Sequence, residues 1–185
     1  MAELILDDAK ERMEKAVVHS REEFATIRSG RANPTLVEKM TVEAYGVEMR
    51  LVEMASISVP EARQLLITPH DPSNLEAVER AIRTSDLGLS PSNDGRTLRL
   101  NFPPLTEERR RELVRIVKKM AEEGRISIRN IRRDARKELE SAEKEKQLTS
   151  DELVRAEKDL DRITRSSEAT VDGALASKEE ELLEV

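Results

Sequence analysis

The sequence predicts an α+β protein: a long antiparallel three-helix bundle, with a small β/α/β sandwich domain inserted after the first helix. Three observations carry this. Aromatic residues are only 2%, with no Trp, one Tyr and two Phe, while charged residues reach 38%. That composition suits long amphipathic helices with narrow apolar seams better than a rounded core, which draws on aromatics. Apolar residues recur at helical spacing towards both ends of the chain, which excludes a disordered acidic polymer. Between residues 34 and 104 the texture changes to short alternating runs broken by Pro and Gly.

With 185 residues the chain can form one large domain or two small ones. It contains no Cys, which removes disulfides, thiolate catalysis and Cys-based zinc sites. No apolar run approaches the ~18 residues that a membrane span needs. The N-terminus, Met-Ala-Glu-Leu-Ile-Leu-Asp-Asp, is acidic and lacks a signal or transit pattern. A cytoplasmic protein without a membrane partner is the expectation.

Residues 3–28 read as the first helix, with Leu6, Ala9, Met13, Ala16 or Val17, Ser20, Phe24 and Ile27 stepping by threes and fours. Small seam residues such as Ala9, Ala16 and Ser20 point to close packing inside a bundle rather than a two-stranded coiled coil. Gly30 can take the left-handed conformation that closes a helix, and Pro34 discourages continuation. Residues 36–45, 49–54 and 55–59 are short strand candidates, with Tyr45-Gly46 a turn and Pro60 a stop. Residues 65–68 suit a buried strand ended by Pro69. Asp71-Pro72 starts a helix whose face is Leu75, Val78 and Ile82. Residues 90–95 are a loop of turn formers, 97–102 a last strand, and Pro103-Pro104 a stiff extended connector.

Thr106 then caps a second long helix, with Glu107 and Glu108 complementing its dipole. Thr149-Ser-Asp-Glu152 is a capping box for the third. Its seam runs through Leu153, Ala156, Leu160, Ile163, Ser167, Val171, Ala174 and Leu182. At 1.5 Å per residue each of these two helices is roughly 50–60 Å long. Three seams can bury one another in an antiparallel bundle. The expected organisation is therefore 1–29 plus 106–185 as bundle and 31–104 as insert. Hinges are expected near 29–34 and 103–105, at Gly30, Pro34, Pro103 and Pro104.

The second long helix carries the functional clue. On a helical wheel Leu113, Val117, Met120, Gly124, Ile131 and Ala135 share one face. Arg111, Lys118, Arg125, Arg129, Arg132 and Arg136 fall in a band roughly 60° wide elsewhere, with Arg115 and Arg133 just beside it. Guanidiniums are permanently charged forks that fit phosphate oxygens in pairs, so such a row can serve as a phosphate track. Spacing alone equally permits a solvated face balanced by i,i+4 acids. Between residues 126 and 135 the one acid is Asp134, which points away from the band, and Arg is used there to the exclusion of Lys. Both features favour the track, and the row is expected to stay uncovered when the helices pack.

Four separated stretches carry a family resemblance: Thr26-Ile-Arg-Ser-Gly-Arg-Ala-Asn-Pro34, Ser85-Asp-Leu-Gly-Leu-Ser-Pro-Ser-Asn-Asp-Gly95, Pro103-Pro-Leu-Thr-Glu-Glu-Arg-Arg110 and Ile128-Arg-Asn-Ile-Arg-Arg-Asp-Ala135. In order and spacing, over the whole chain, the sequence resembles ribosome recycling factors. That resemblance implies an L-shaped molecule. Its bundle would lie on large-subunit ribosomal RNA in the intersubunit region, and its short arm would face elongation factor G. It implies a monomer without cofactor that binds the post-termination ribosome and, with elongation factor G and GTP, separates the subunits. Carried over by position, Arg31, Arg110, Arg129, Arg132 and Arg133 are RNA-facing candidates, with Arg132 first. Arg28, Arg125 and Arg136 join them from the hinge and the ridge. Ser29 stands where the family often has Thr, and Gly173 is expected to interrupt the last helix.

Two other functional classes remain to be weighed: a structural adaptor whose ridge is only a soluble surface, and an RNA-modifying or RNA-hydrolysing enzyme. No G-x-x-x-x-G-K-[ST] or G-x-S-x-G occurs, so neither nucleotide hydrolysis nor a serine nucleophile is expected. His19 and His70, the only histidines, lack neighbours at metal-ligand spacing and read as surface residues.

Overall fold

In the computed structural model, which describes residues 1–184, Ala9, Met13, Val17, Ser20 and Phe24 step along α1 (Ala2–Thr26), and all five are buried. Val185, the last position of the expected 106–185 span, lies outside the described residues. The chain divides into two compact units, one formed by Met1–Ser29 with the stretch from Thr106 onward, the other by Gly30–Leu105.

The first unit is three long helices: α1, α5 (Glu107–Lys144) and α6 (Ser150–Leu183). Every pair of them is in contact, as three mutually burying seams require. On α5 the buried line is Leu113, Val117, Ala121, Ile128, Ile131, Ala135, Leu139 and Ala142. Met120 is only half-buried; the line passes instead through Ala121 and Ile128, on the side turned to α6. On α6, Ala156, Leu160, Thr164, Val171 and Leu182 are buried. Thr164 satisfies its hydroxyl by donating to Leu160 O at 2.8 Å, which lets a polar residue occupy a seam position. The capping box forms as read: Glu152 N donates to Thr149 Oγ1 at 3.2 Å and Thr149 N to Glu152 Oε2 at 2.7 Å. The helix runs unbroken through Gly173, correcting the expected interruption. A lone exposed glycine costs only ~1 kcal/mol, which a long packed helix absorbs.

One contact sets how closely α1 and α5 approach. A Cβ on Gly124 would lie 2.3 Å from Ser20 Oγ, and Ser20 is 1% exposed. A side chain here would force the Ser20 hydroxyl to turn away within the packed seam.

In the second unit, β1 (Thr41–Ala44) and β2 (Val47–Arg50) form an antiparallel hairpin. Tyr45 (φ 54) and Gly46 (φ 74) make its two-residue loop, and both have the positive φ that twists a tight hairpin correctly. A four-stranded antiparallel sheet has the order β3 (Ala55–Glu61), β4 (Gln64–Pro69), β6 (Leu98–Asn101), β5 (Ser92–Asn93). Its central strands bury Leu65, Ile67, Leu98 and Leu100 with Leu75, Val78 and Ile82 of α4 (Leu75–Arg83) in one core. Asp71 caps the 3-10 turn Pro72–Asn74 that leads into α4, accepting from Ser73 N at 3.0 Å.

Four local expectations are corrected. Residues 36–38 belong to a short helix, α2 (Thr35–Glu38), because Asn33 turns the chain by accepting from Thr35 N at 3.0 Å. Residues 51–54 form a further helical turn, α3 (Leu51–Met54), which buries Leu51 and Met54 and is closed by Arg50 and Glu53. Pro60 does not stop β3: the strand is at the sheet edge and carries a register shift between Ser58 and Glu61, where a missing N–H goes unnoticed. Part of the 90–95 loop, Ser92 and Asn93, pairs with β6.

Gly30 has φ +77, the left-handed conformation expected, but it lies beyond the helix end, since α1 stops at Thr26 and Ile27 is already extended. A Cβ on Gly30 would meet the Leu105 side chain at 3.2 Å. Pro34 sits at the N-cap position of α2, and Pro103 and Pro104 are exposed, outside any regular element.

Candidate nucleic-acid interface

The geometry of the arginine ridge starts at Thr106, whose hydroxyl accepts from Arg109 N at 3.1 Å and so fixes where α5 begins. From there the helix is continuous, so Arg125, Arg129, Arg132 and Arg136 recur at intervals of three and four along a line about 16 Å long. With the buried seam facing inward, that line lies on the flank of α5 turned towards α6.

The flank is not bare. Arg125 reaches Asp172 at 2.6 Å and Glu122 at 2.9 Å. The Nε of Arg129 donates to Glu168 at 2.9 Å, and its Nη1 stands 3.6 Å from Glu122. Arg132 holds Asp161 at 2.7 Å, while Arg136 meets Glu140 at 3.1 Å and Glu157 at 3.4 Å. Lys118 continues the row with Glu179 at 3.8 Å. The expectation of an uncovered row is therefore corrected. The count of acids within residues 126–135 was right but local. Acids from an antiparallel neighbour reach the same guanidiniums from across the seam.

Covered is not buried, however. The Arg129, Arg132 and Arg136 side chains retain 50%, 40% and 54% of their exposure, whereas Arg125 retains 20%. Partial burial works against the Arg125 charge, but the Glu122 and Asp172 carboxylates outweigh it and raise its pKa above the ordinary value. Arg125 is thus the structural member of the row. The other three side chains stay about half-exposed.

Arg133, just outside the band, is exposed and has no ion-pair partner among the described residues. Arg115, Lys119 and Lys137 share its outward face and the same freedom. Ile126, 46% exposed, sits among them. Arg110 is half-buried near the start of α5, about 22 Å along the helix from Arg125. Arg28 is exposed just past α1, and Arg31 is half-buried in the other unit. The fold therefore gathers Arg125, Arg129, Arg132, Arg133 and Arg136 on one stretch of α5, with Arg110 near the start of that helix and Arg28 just past α1; Arg31 belongs to the other unit.

Sequence reasoning missed Glu157, Asp161, Glu168 and Asp172. Their spacing of four, seven and four is a helical stripe, and that was the available signal. It also missed Arg165, which lines a shallow groove with Arg129, Arg132, Asp161, Thr164 and Glu168. His19 lies 3.5 Å from Glu23, and no metal-binding group of side chains occurs among the described residues. No helix among the described residues is long and apolar enough to cross a membrane.

Comparison with known proteins agrees with the motifs. The sequence profile of the family described as Ribosome recycling factor matches residues 20–183. A ribosome-recycling factor of a Geobacillus species is 51% identical over 185 residues, covering all of both chains. That of Rubrobacter xylanophilus is 52% identical over 180 residues, or 97% of each chain. Among solved structures, a solution structure of ribosome recycling factor matches with a TM-score of 0.78 at 38% identity, covering 100% of this chain and 98% of that one. A second match, with a TM-score of 0.66 at 42% identity and full coverage of both chains, is the Thermus thermophilus factor, described together with Escherichia coli elongation factor G as bound to the E. coli post-termination complex.

Proposed function

The chain belongs to the ribosome recycling factor family, and from that premise we propose that it binds the post-termination ribosome and, with elongation factor G and GTP, separates the subunits for a new round of translation. The observation that carries this is the full-length likeness to a factor described on the post-termination complex with elongation factor G. The chain acts in the cytoplasm as a non-enzymatic factor: GTP hydrolysis belongs to its partner.

The interface within this reading is the flank of α5 around Arg129, Arg132 and Arg133. Arg132 is central and its side chain is 40% exposed, and Arg133 has no ion-pair partner among the described residues. A rigid helix holding them within about one turn presents forks at a spacing that suits successive phosphates of large-subunit ribosomal RNA. Arg110, Arg28 and Arg31 are further candidate contacts outside that cluster of side chains on α5. The short connectors at 29–34 and 103–105, with Gly30, Pro34, Pro103 and Pro104, serve as hinges through which a push from elongation factor G on the inserted unit strains the bridges between subunits.

The ion pairs along the ridge favour one rival, a structural adaptor whose charges serve only its own surface. A subunit-splitting assay with purified ribosomes, elongation factor G and GTP decides between them. Splitting that requires the chain, and that weakens with Arg132→Ala, supports recycling. Unchanged subunit association in its presence would leave the adaptor.

A further inference from the structure

Each exposed ion pair contributes little to stability by itself, with a median near 0–1 kcal/mol. Yet α6 places Glu157, Asp161, Glu168 and Asp172 in one row against Arg136, Arg132, Arg129 and Arg125. With Glu122 and Glu140 added from α5 itself, carboxylates outnumber guanidiniums along the ladder. A surface meant only to attract polyanion would not carry that excess.

The contacts also leave room for exchange. A guanidinium has five N–H donors. Arg132 meets Asp161 through Nη2, and Arg129 turns its Nε to Glu168. Both side chains remain about half-exposed. An RNA phosphate can therefore reach these arginines only by approaching the carboxylates that already hold them. It must replace those carboxylates or accept their repulsion.

Resting on the reading of the ridge as an RNA interface, we propose that Glu157, Asp161 and Glu168 of the α6 row are an internal counter-charge that competes with RNA phosphates for Arg136, Arg132 and Arg129 of α5, while Asp172 holds the structural Arg125. The competition lowers affinity in two useful ways. It lets a factor that must leave after each round dissociate. It also denies the ridge to RNA whose phosphates do not match its spacing, since each unmatched guanidinium keeps its carboxylate.

The test uses full-length Asp161→Asn, Glu168→Gln and their double variant. Binding to post-termination ribosomes and to a 20-base-pair RNA duplex is measured across a potassium chloride series. Neutralising one carboxylate is expected to tighten binding about two- to five-fold, from the usual worth of an exposed pair. The double variant should gain roughly tenfold, mainly through slower dissociation, with the larger gain on the duplex. Glu157→Gln alone repeats the test at the Arg136 end of the row, should the first pair disturb folding. Affinity that falls or stays level in well-folded variants would overturn the competition and make the acids supports for the arginines. Arg132→Ala is the control on the premise. If it leaves ribosome binding unchanged, the ridge is not an interface and this inference falls with that reading; if it weakens binding, the acid variants judge the competition alone.

Discussion

The two flanks of α5 are held by different physics. Towards α1 the contact is steric: Gly124 admits Ser20 so closely that a single added carbon would collide, and one ion pair, Arg12 with Asp134 at 3.3 Å, lies alongside. Towards α6 the contact outside the apolar seam is a ladder of half-exposed charges. Interiors are close-packed and tolerate almost no added volume, whereas exposed charges are screened and exchange partners readily. One helix thus has a flank that must not change and a flank that can trade its partners. The proposed interface lies on the second.

The largest expected effect breaks the steric flank. Gly124→Val should cost ~3 kcal/mol, since the side chain meets both Ser20 and Val171. Thermal or denaturant unfolding reads this directly, and Ser20→Ala in the same chain should recover part of it. A variant as stable as the parent would show that the α1 flank is looser than described.

Next is the charged flank. Arg132→Ala should leave stability within about 1 kcal/mol, because its pair with Asp161 is exposed. Ribosome affinity should fall by ~2 kcal/mol, the usual worth of a charged hydrogen bond, or about thirty-fold. Arg133→Ala, which breaks no ion pair among the described residues, should reduce affinity with no measurable loss of stability. If the two variants lost stability equally and affinity not at all, the contrast between the flanks would have no functional content.

Thr149→Ala tests how the register of the ladder is kept. It removes one half of the capping box and should cost ~1 kcal/mol by equilibrium unfolding. The smallest effect lies outside both flanks. Hydrogen bonds from the Thr97 side chain, Thr97 N and Arg96 N lower the Asp94 pKa from 3.8 to about 2. A carboxylate depressed by folding contributes stability above its ordinary pKa, and that contribution is lost as pH falls through the folded value. Lowering pH from 5 to 2 should therefore reduce the melting temperature less in Asp94→Asn than in the parent. An identical acid response in both would exclude this turn as a contributor.

Much of the fold was legible in the sequence because its causes are local. The α1 seam, the Thr106 cap, the Thr149 and Glu152 box, the Asp71 cap and the Tyr45-Gly46 loop all depend on residues a few positions apart. Missed elements were those decided by neighbours. Pro60 sits inside β3 because that strand happens to be an edge, and residues 51–54 coil because Leu51 and Met54 both find the same core. Of the candidate site, the sequence placed the arginines on one stripe, but not what faces that stripe.

By itself the sequence determined three amphipathic rods, an inserted mixed domain, the caps at Asp71, Thr106 and Thr149 and a row of arginines at helical spacing. These follow from periodicity and from hydrogen bonds that close within a single turn. Only the tertiary structure decided that Gly124 would be the point of closest approach, and that the arginines would meet Asp161, Glu168 and Asp172. Those partners lie 29 to 47 residues away along the chain, and no local rule reaches that far. Antiparallel packing of two long helices brings them together, because a rigid rod returning along its neighbour turns one stripe into the partner of another.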